Sequence, residues 1–392
     1  MPKTTKKVFI SNLATTLSQY WAVIQGSLFP YLEKEIDPPT EKQKKLITTL
    51  EILRIEEFLL DSSWMGRPPK FREAIARAFV AKSVYNMDTT RALIDRLKTD
   101  ENLRRICGFE SRRQIPSEST FSRAFDEFAR SLLPQRVHEI LIKKVCKESI
   151  IQHVSNDSTA IEARERPKIR PKKNQEVKTS NKRGRPKKGE KRKAKLPTIT
   201  RLDKQPSMTL CEMLEDLPME CDYGCKKNSQ GFVEKWCGYK LHIATSDGGV
   251  PISAILTSAS MHDSQAAIPL MTLTSNRAIN LYDLYDAAYY DKRIEAYSKS
   301  LNHVPIIDVN PRRDAKLKKE LDAEKMACKT LHWKMPKAQR YNERSSVERT
   351  NGRLKDEYGG RNVRVKGKTK VLCHLMFGLL ALTVDQLMIM VT

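Results

Sequence analysis

The chain has 392 residues, of which 40% are apolar, so it is long enough to bury the cores of two or three domains. Its formal charge of +24 makes it a polycation, and such proteins associate with phosphate backbones by counterion release. Nucleic acid is therefore favoured as the partner; a basic solvated surface, a ribosome or a membrane partner is the alternative. No clean apolar run and small-residue cleavage site follow the basic start, so we expect no secretory signal peptide. We expect a cytoplasmic protein whose eight cysteines are reduced thiols.

Apolar residues recur at three- and four-residue spacing in the first part of the chain, which predicts an all-helical domain over 1–150. The predicted helices are Ser18 to Leu32, Thr40 to Leu60, Phe71 to Tyr85, Thr89 to Leu97 and Glu118 to Cys146. Ser117 or Ser119 is expected to cap the last of them. This helix carries Arg123 near its start, so it is either a DNA recognition helix or an ordinary capped helix of a bundle.

A basic segment follows the helical part. Residues 162–204 contain 18 Lys and Arg against 5 Asp and Glu and almost no apolar side chains, which predicts a disordered, extended arm. Within it, Arg183, Gly184, Arg185 and Pro186 resemble the core of an AT-hook. In such a motif, glycine lets the backbone lie deep in a narrow A·T-rich minor groove, with the arginines along its floor. A generic phosphate-binding tail is the alternative.

Strand patterns return after the basic segment. Residues 238–246 alternate between apolar and polar side chains, and a turn of Asp and Gly follows. Residues 250–257 are then the returning strand, so the stretch predicts a hairpin. The next predicted elements are a helix over Ser264 to Leu273, a strand over Ile279 to Asp286, a helix over Lys292 to Leu301 and a strand over Val304 to Val309. This order predicts a mixed α/β sheet.

The most apolar stretch runs from Val371 to Val391. It contains His374, Asp385 and Gln386, which favour a buried amphipathic helix over a membrane span. We therefore expect this helix to pack on the core, and we expect no membrane partner.

Two aspartates are predicted at the ends of apolar strands. The strand over Gln152 to Asp157 ends in Asp157, and a later strand ends in Asp286, followed by two alanines. Acids at the carboxyl ends of neighbouring strands converge at one edge of a sheet. Such a cluster needs hard cations, and Mg²⁺ prefers carboxylate oxygen, water and phosphate as ligands. His262 and Asp263, after the hairpin, form either another metal pair or a loop cap.

A third carboxylate, Glu348, lies on a predicted polar helix. At about 100° per residue, Tyr341, Arg344, Glu348 and Lys355 fall within an arc of about 60° on this helix. The apolar residues form a separate stripe beside them. One face can therefore pack on the sheet while another presents a carboxylate flanked by two cations and an aromatic ring.

The spacing of these four residues (Tyr, two residues, Arg, three residues, Glu, six residues, Lys) resembles the signature of bacterial insertion-sequence transposases of the Asp-Asp-Glu type. The strings Asn-Asp-Ser-Thr at 156–159, Gly-Tyr-Lys-Leu-His at 238–242 and Leu-Tyr-Asp-Ala-Ala-Tyr at 284–289 are similar to that group's first catalytic strand, second strand and second catalytic strand. The resemblance covers the chain from about residue 156 onwards.

The resemblance implies an α/β fold with a ribonuclease H-like mixed-sheet catalytic core, an all-helical N-terminal domain and a disordered basic insertion. The implied organisation is a DNA-end-binding and assembly domain over 1–150, a first catalytic strand over 151–161, the insertion over 162–235, the rest of the catalytic domain over 236–365 and a C-terminal helix over 366–392. It also implies that Asp157, Asp286 and Glu348 are catalytic and bind two Mg²⁺ or Mn²⁺ ions. Tyr341, Arg344 and Lys355 would then contact the transposon end, the cations at phosphates and the ring against a base.

The implied function is a DNA transposase that binds the terminal repeats of its element, cuts them and joins them to target DNA. A ribonuclease H-like nuclease or resolvase and a non-catalytic DNA-binding regulator are the alternatives. A homodimer is expected, since joining two element ends requires two bound subunits. Only 61 residues separate Asp286 from Glu348, so a large inserted β-domain found in some members is absent, and hairpin-forming cleavage is left open. Asp283 and Asp291 flank Asp286 and are alternatives to it.

Deletion of Pro167 to Lys195 should weaken DNA binding, because it removes much of the positive charge of the basic segment. The slope of log K against log salt should flatten by about 0.9 for each phosphate that the shortened protein no longer neutralises, while metal binding is retained. Filter binding of a labelled duplex over a salt series measures the slope. An unchanged slope would show that the segment does not engage DNA.

Overall fold

A computed structural model of the protein describes residues 38–59, 71–146, 149–167, 199–227, 230–311 and 314–391. The helix predicted over Ser18 to Leu32 and the AT-hook-like residues Arg183 to Pro186 lie outside these ranges. The same holds for residues 168–198, the greater part of the basic segment.

The described residues between 38 and 146 are helical. The α-helices are α1 (Glu41–Leu53), α2 (Arg72–Val84), α3 (Thr90–Thr99), α4 (Glu101–Ile106), α5 (Glu118–Arg130) and α6 (Leu133–Cys146), with 3₁₀ turns at Ile55–Phe58 and Arg112–Gln114. The sequence predicts α5 and α6 as one helix, which is wrong, because the chain turns between them at Leu132 with a left-handed φ of 52°. Ser117 is the N-cap residue of α5, but its hydroxyl contacts those of Ser119 and Thr120 and does not bond to the helix backbone.

The second half of the chain forms a sheet covered by helices. The strands of the described residues are β1 (Ile150–Glu162), β2 (Asp222–Lys227), β3 (Val233–Ser246), β4 (Pro251–Ser258), β5 (Ile279–Tyr285) and β6 (Val304–Ile307). Strand β3 is antiparallel to β1, β2 and β4, whereas β1 is parallel to β5 and β5 is parallel to β6. The helices of this part are α7 (Arg201–Lys204), α8 (Leu210–Asp216), α9 (Ser264–Ser275), α10 (Lys292–Ser300), α11 (Ala315–Thr330), α12 (Pro336–Tyr341), α13 (Ser345–Glu357) and α14 (Lys368–Val391). This is the mixed α/β sheet that the sequence predicts, and it is consistent with a ribonuclease H-like core.

Strand β1, Ile150–Glu162, is longer than the strand-like pattern over Gln152 to Asp157 predicts and is close to the 151–161 that the resemblance implies. The expectation that it ends at Asp157 is wrong, because β1 pairs with β3 as far as Glu162. Opposite Glu162 lies Gly238, where an added Cβ would lie 2.1 Å from the carbonyl oxygen of Ile161. The close approach of the two backbones at this point requires glycine.

The interpretation of residues 162–235 as a largely disordered insertion is wrong for its second half. Residues 199–227 contain helices α7 and α8 and strand β2. Apolar side chains of this stretch are used in the core, since Leu202, Met213 and Leu217 are buried and both helices pack on α9. The strongly basic composition that predicts disorder holds for residues 162–204 and does not extend to the rest of the segment.

Helix α14 connects the helical part of the chain to the sheet. Within the described ranges it is the one helix long and apolar enough to cross a membrane, by length and composition only, and 72% of its most apolar window is buried inside the protein. It packs against α1, α2, α5, α6 and β4, and the Phe377 ring centroid lies 5.8 Å from that of Phe79 on α2. The predicted burial is confirmed. The predicted amphipathicity is wrong, because neighbours surround the helix on most sides.

Five histidines of the described residues are buried, and the pKa values of three of them are lowered by burial. His138 on α6 has its Nε2 atom 3.2 Å from Oγ1 of Thr383 on α14, and His242 and His374 also make hydrogen bonds inside the protein. Burial lowers the pKa of His138 and of His374 to about 3 and that of His242 to about 4. All three are therefore neutral in the folded state near neutral pH.

Stability should fall as the pH drops below about 6.5, the pKa of histidine in an unfolded chain. The unfolded state then binds protons that the buried imidazoles do not, so each histidine should cost about 2 kcal/mol at about pH 5. His138→Gln should remove its share of this pH dependence. Urea unfolding of both proteins at pH 5 and pH 7 measures the difference, and an identical pH dependence would contradict the expectation.

Candidate active site

The pairing of β1 with β5 brings two aspartates together. The strands are parallel, and Ser155 lies opposite Leu284 in their register. Continuing this register by two residues places Asp286, which directly follows β5, beside Asp157. The two acids are therefore neighbours on adjacent strands, although Asp157 lies within its strand and not at its end.

Both carboxyl groups lie in a partly buried, acidic environment. Burial raises the pKa of Asp157 to about 6; Asp286 and Asp263 act in the same direction, while the Ser158 amide and Arg344 oppose them. Burial also raises the pKa of Asp286, which the same arginine lowers. Two carboxylates so placed repel each other, and a cation between them would stabilise their ionised forms.

The structure distinguishes Asp286 from the two flanking aspartates. Asp283 is buried and accepts a hydrogen bond of 2.6 Å from Oγ of Ser298. Asp291 caps α10 and forms an ion pair of 2.7 Å with Arg293. Both flanking acids therefore stabilise local structure, whereas Asp286 interacts electrostatically with Asp157.

Helix α13 lies across β1 and β3 and carries the third predicted acid. Its apolar side chains Val347 and Leu354 are fully buried against the sheet, which fixes the orientation of the helix. Glu348 lies on a more exposed face, with about half of its side chain accessible, and forms an ion pair with Arg344. Arg344 belongs to a 3₁₀ turn, Asn342–Arg344, that leads from α12 into α13.

Arg344 is the common neighbour of the predicted site residues. Its guanidinium bonds to Glu348 and lowers the pKa values of Asp157 and Asp286. Burial lowers the pKa of Arg344 itself, but Tyr341 and the three acids outweigh burial and raise it. Its guanidinium carbon lies 5.7 Å from the centroid of the Tyr341 ring, within cation–π range. The structure thus brings together five of the residues that the sequence singles out.

Asn351 was not singled out by the sequence, and it contacts the site directly. It lies one turn after Glu348 on α13, is buried, and donates a hydrogen bond of 3.3 Å to Oδ2 of Asp157. A polar residue three positions after a predicted catalytic acid shares its face of the helix, and this spacing was the signal available in the sequence.

A second neighbour of the site is Asp263, which raises the pKa values of both Asp157 and Asp286. Its carboxylate forms an ion pair of 2.9 Å with Lys240 on β3. Its sequence neighbour His262 places Nδ1 2.8 Å from Oγ of Ser264, a local contact at the start of α9. Of the two sequence-based interpretations, the loop cap therefore describes His262, while Asp263 adds negative charge to the site.

Lys355 does not join this group. It lies seven residues after Glu348 on α13, a rise of about 10 Å along the axis. Burial lowers its pKa, and Lys226 on β2 and Arg361 add to the effect, while Glu162 and Asp356 oppose it. Arg183, Gly184, Arg185 and Pro186 lie outside the described residues.

Among the described residues, no group of three or more His, Cys, Asp or Glu side chains could hold a metal ion. Glu348, the third predicted acid, is paired with Arg344. The chemistry of Asp157 and Asp286 nevertheless fits a hard cation, because both present oxygen ligands in a partly buried, self-repelling pair. An ion that also used Glu348 would replace Arg344 as its partner.

Two family models match the chain. Residues 220–384 match the family described as "Transposase DDE domain", and residues 31–127 match the one described as "Transposase domain (DUF772)". Asp286 and Glu348 lie inside the first match, whereas Asp157 lies between the two. Comparison with curated proteins and with solved structures gave no match.

Asp157→Asn should stabilise the folded protein in the absence of divalent ions. The folded state holds the pKa of this carboxyl at about 6 against an ordinary 3.8, so ionising it costs about 3 kcal/mol above pH 7. The sign follows from the raised pKa: the cost develops as the pH rises from about 4 to about 6, so the gain on substitution should vanish below about pH 4.

Urea unfolding in EDTA at pH 5 and pH 8 tests this expectation. Asp95→Asn, at an exposed position of α3, is the matched control and should leave stability unchanged. A loss of stability in Asp157→Asn at pH 8 would show that the carboxylate contributes to folding and is not a strained functional group.

Proposed function

We propose that the chain is a DNA transposase of the Asp-Asp-Glu type, which the matches to two transposase domain families support. In this proposal the protein binds the terminal repeats of its insertion sequence, cuts the DNA strands and joins them to target DNA. One observation supports the catalytic part most directly: Asp157 and Asp286 are neighbours on parallel strands, beside the helix that carries Glu348.

In the proposed reaction Asp157, Asp286 and Glu348 hold Mg²⁺ or Mn²⁺, two ions per active site. Such ions supply activation of an attacking hydroxyl and stabilisation of the leaving oxygen in phosphoryl transfer. The protein's own contribution is positional. The register of β1 and β5 sets the spacing of the two aspartates, and Asn351 holds the Asp157 carboxylate by its hydrogen bond.

Arg344 and Tyr341 are proposed to hold the DNA end at this site. Arg344 lies among the three acids, where a guanidinium can bind a phosphate bidentately once DNA is present. The half-buried Tyr341 ring stacks near Arg344 and offers a face for an unpaired base. Lys355, farther along α13, would contact the backbone away from the cut.

The remaining parts of the proposal concern partners. The AT-hook-like residues 183–186 would bind the minor groove of A·T-rich DNA, and two protomers would pair to hold both element ends. The protein would work in the cytoplasm, on the nucleoid, where its substrate lies. Static light scattering of the protein mixed with end DNA would test the dimer.

A second candidate is a DNA-binding regulator without catalytic activity. The ion pair between Glu348 and Arg344 favours this candidate, because it occupies the third acid with a protein cation. The two candidates differ in whether Glu348 releases Arg344 when DNA and divalent ions are present.

The deciding experiment is nicking and strand transfer on a labelled duplex that bears the element's end, with Mg²⁺. Wild type should cut and join, while Glu348→Gln should bind the duplex normally and lose about 10³-fold or more of both activities. The substitution keeps size and hydrogen bonding but removes one metal-binding charge.

Glu357→Gln is the matched control, since Glu357 lies on the same helix in an ion pair with Arg353 and away from the acids. It should retain wild-type activity. Binding without cutting by wild type would favour the regulator. Cutting by Glu348→Gln at the wild-type rate would remove Glu348 from the site.

A further inference from the structure

A cleft of about 550 Å³ opens between the N-terminal helices and the segment that leads into α14. Helices α2, α3 and α5 form one wall, and residues 364–370 form the other. Six cationic side chains line it against two acidic ones. They are Lys82, Arg91, Arg164, Arg364, Lys366 and Lys370, with Asp88 and Glu118.

Few of these cations are neutralised by carboxylates. Glu118 pairs with Arg91 at 3.2 Å, and Lys370 pairs at 3.2 Å with Asp126 outside the cleft. Throughout the ranges that the structure describes, no ion-pair partner lies next to the other four: Lys82, Arg164, Arg364 and Lys366. The cleft therefore has a local excess of unpaired positive charge.

Lys82 on α2 is the most informative of these cations because it is buried. Only 7% of the residue is exposed, and in the described part of the chain its ammonium group has no hydrogen-bond or ion-pair partner. Burial lowers its pKa to about 8, and Asp88 offsets the effect only in part. A buried, unpaired cation destabilises a fold, so its presence at a cleft indicates an anionic ligand.

A smaller depression of about 130 Å³ lies between the cleft and helix α13 and shares Asp88 with the cleft. It is lined by Lys355 and by the ion pair of Arg361 with Asp356, so its charges are balanced. The excess of positive charge is therefore confined to the cleft, where unpaired cations lie on both walls. Several cations spread over two walls match an extended polyanion better than a single small anion.

We propose that the cleft binds the phosphate backbone of the DNA duplex next to the cut end, with Lys82, Arg364 and Lys366 in contact with phosphates. Lys355 is the cation of helix α13 that lies beside this cleft, in the smaller depression. The inference deepens the proposed function and depends on it, since it identifies where the uncut part of the substrate lies. It also gives the N-terminal helices a direct contact with the substrate.

Lys82→Met is the primary test. The substitution removes a buried, unpaired charge at nearly constant volume, so thermal stability should stay unchanged or rise. Affinity for a labelled random-sequence duplex should fall, and the slope of log K against log salt should decrease by about 1. A lysine that only supports the fold would give the opposite result, with lower stability and an unchanged slope.

The double variant Arg364→Gln with Lys366→Gln extends the test to the other wall and should lower the slope by about 2. Its matched control, Lys143→Gln with Lys144→Gln, removes the same charge from α6, which does not line the cleft. The control should keep the wild-type slope. An equal decrease in control and cleft variants would mean that net charge alone is measured, and would overturn the proposal.

The outcomes separate this inference from the proposed function. If wild type cuts and joins the end duplex while both cleft variants keep the wild-type salt slope, the cleft inference is wrong and the function stands. If inorganic phosphate raises the melting temperature of wild type but not of Lys82→Met, and the duplex slope is unchanged, the cleft is a small-anion site and the DNA proposal fails. If the salt slope decreases in the cleft variants while wild type does not cut, the cleft stands and the catalytic proposal fails.

Discussion

The parallel pairing of β1 with β5 is the constraint on which the site depends. It places two acids, Asp157 and Asp286, side by side in a partly buried place. Burial is the main cause that raises the pKa of Asp157 to about 6, and the charge of Asp286 adds to the effect. Two neighbouring side chains stabilise the ionised acids. Arg344 supplies positive charge, and Asn351 donates a hydrogen bond to the carboxylate of Asp157. The destabilising pair of acids is therefore confined to one place in the fold. A cation bound there would stabilise the two carboxylates, and the guanidinium of Arg344 offers a ligand for a phosphate.

Helix α14 joins the helical part of the chain to the sheet. Its apolar surface packs against four N-terminal helices and against β4, so the helical part and the sheet share one core. The cleft proposed for DNA lies along this junction, and its walls come from both parts. If the junction holds the two parts rigidly, the distance from the cleft to the acids is fixed by packing and not by a linker.

The sequence predicted the types of most elements, because their apolar periodicities are long and clear. It also identified the two aspartates and the polar helix, since both signals are local. It misplaced the end of β1, because the pairing with β3 to Glu162 is a long-range property. The helices within 199–227 were missed because the basic composition of residues 162–204 was extended to a stretch whose apolar side chains, such as Leu202, Met213 and Leu217, pack into the core. The contacts of Asn351, Asp263 and Lys355 depend on tertiary structure, and residue spacing alone does not determine them.

The connectivity of the core has a consequence for synthesis of the protein. Helix α2 is made long before its neighbour α14, and β1 is separated from β3 and β5 by the basic segment. A chain still on the ribosome can therefore present the N-terminal helices and the basic segment before the acids have met. Electrostatic attraction to a polyanion requires only charge, whereas the acids meet only in the completed sheet. The growing chain therefore carries the charge of its basic segment before the acidic pair exists.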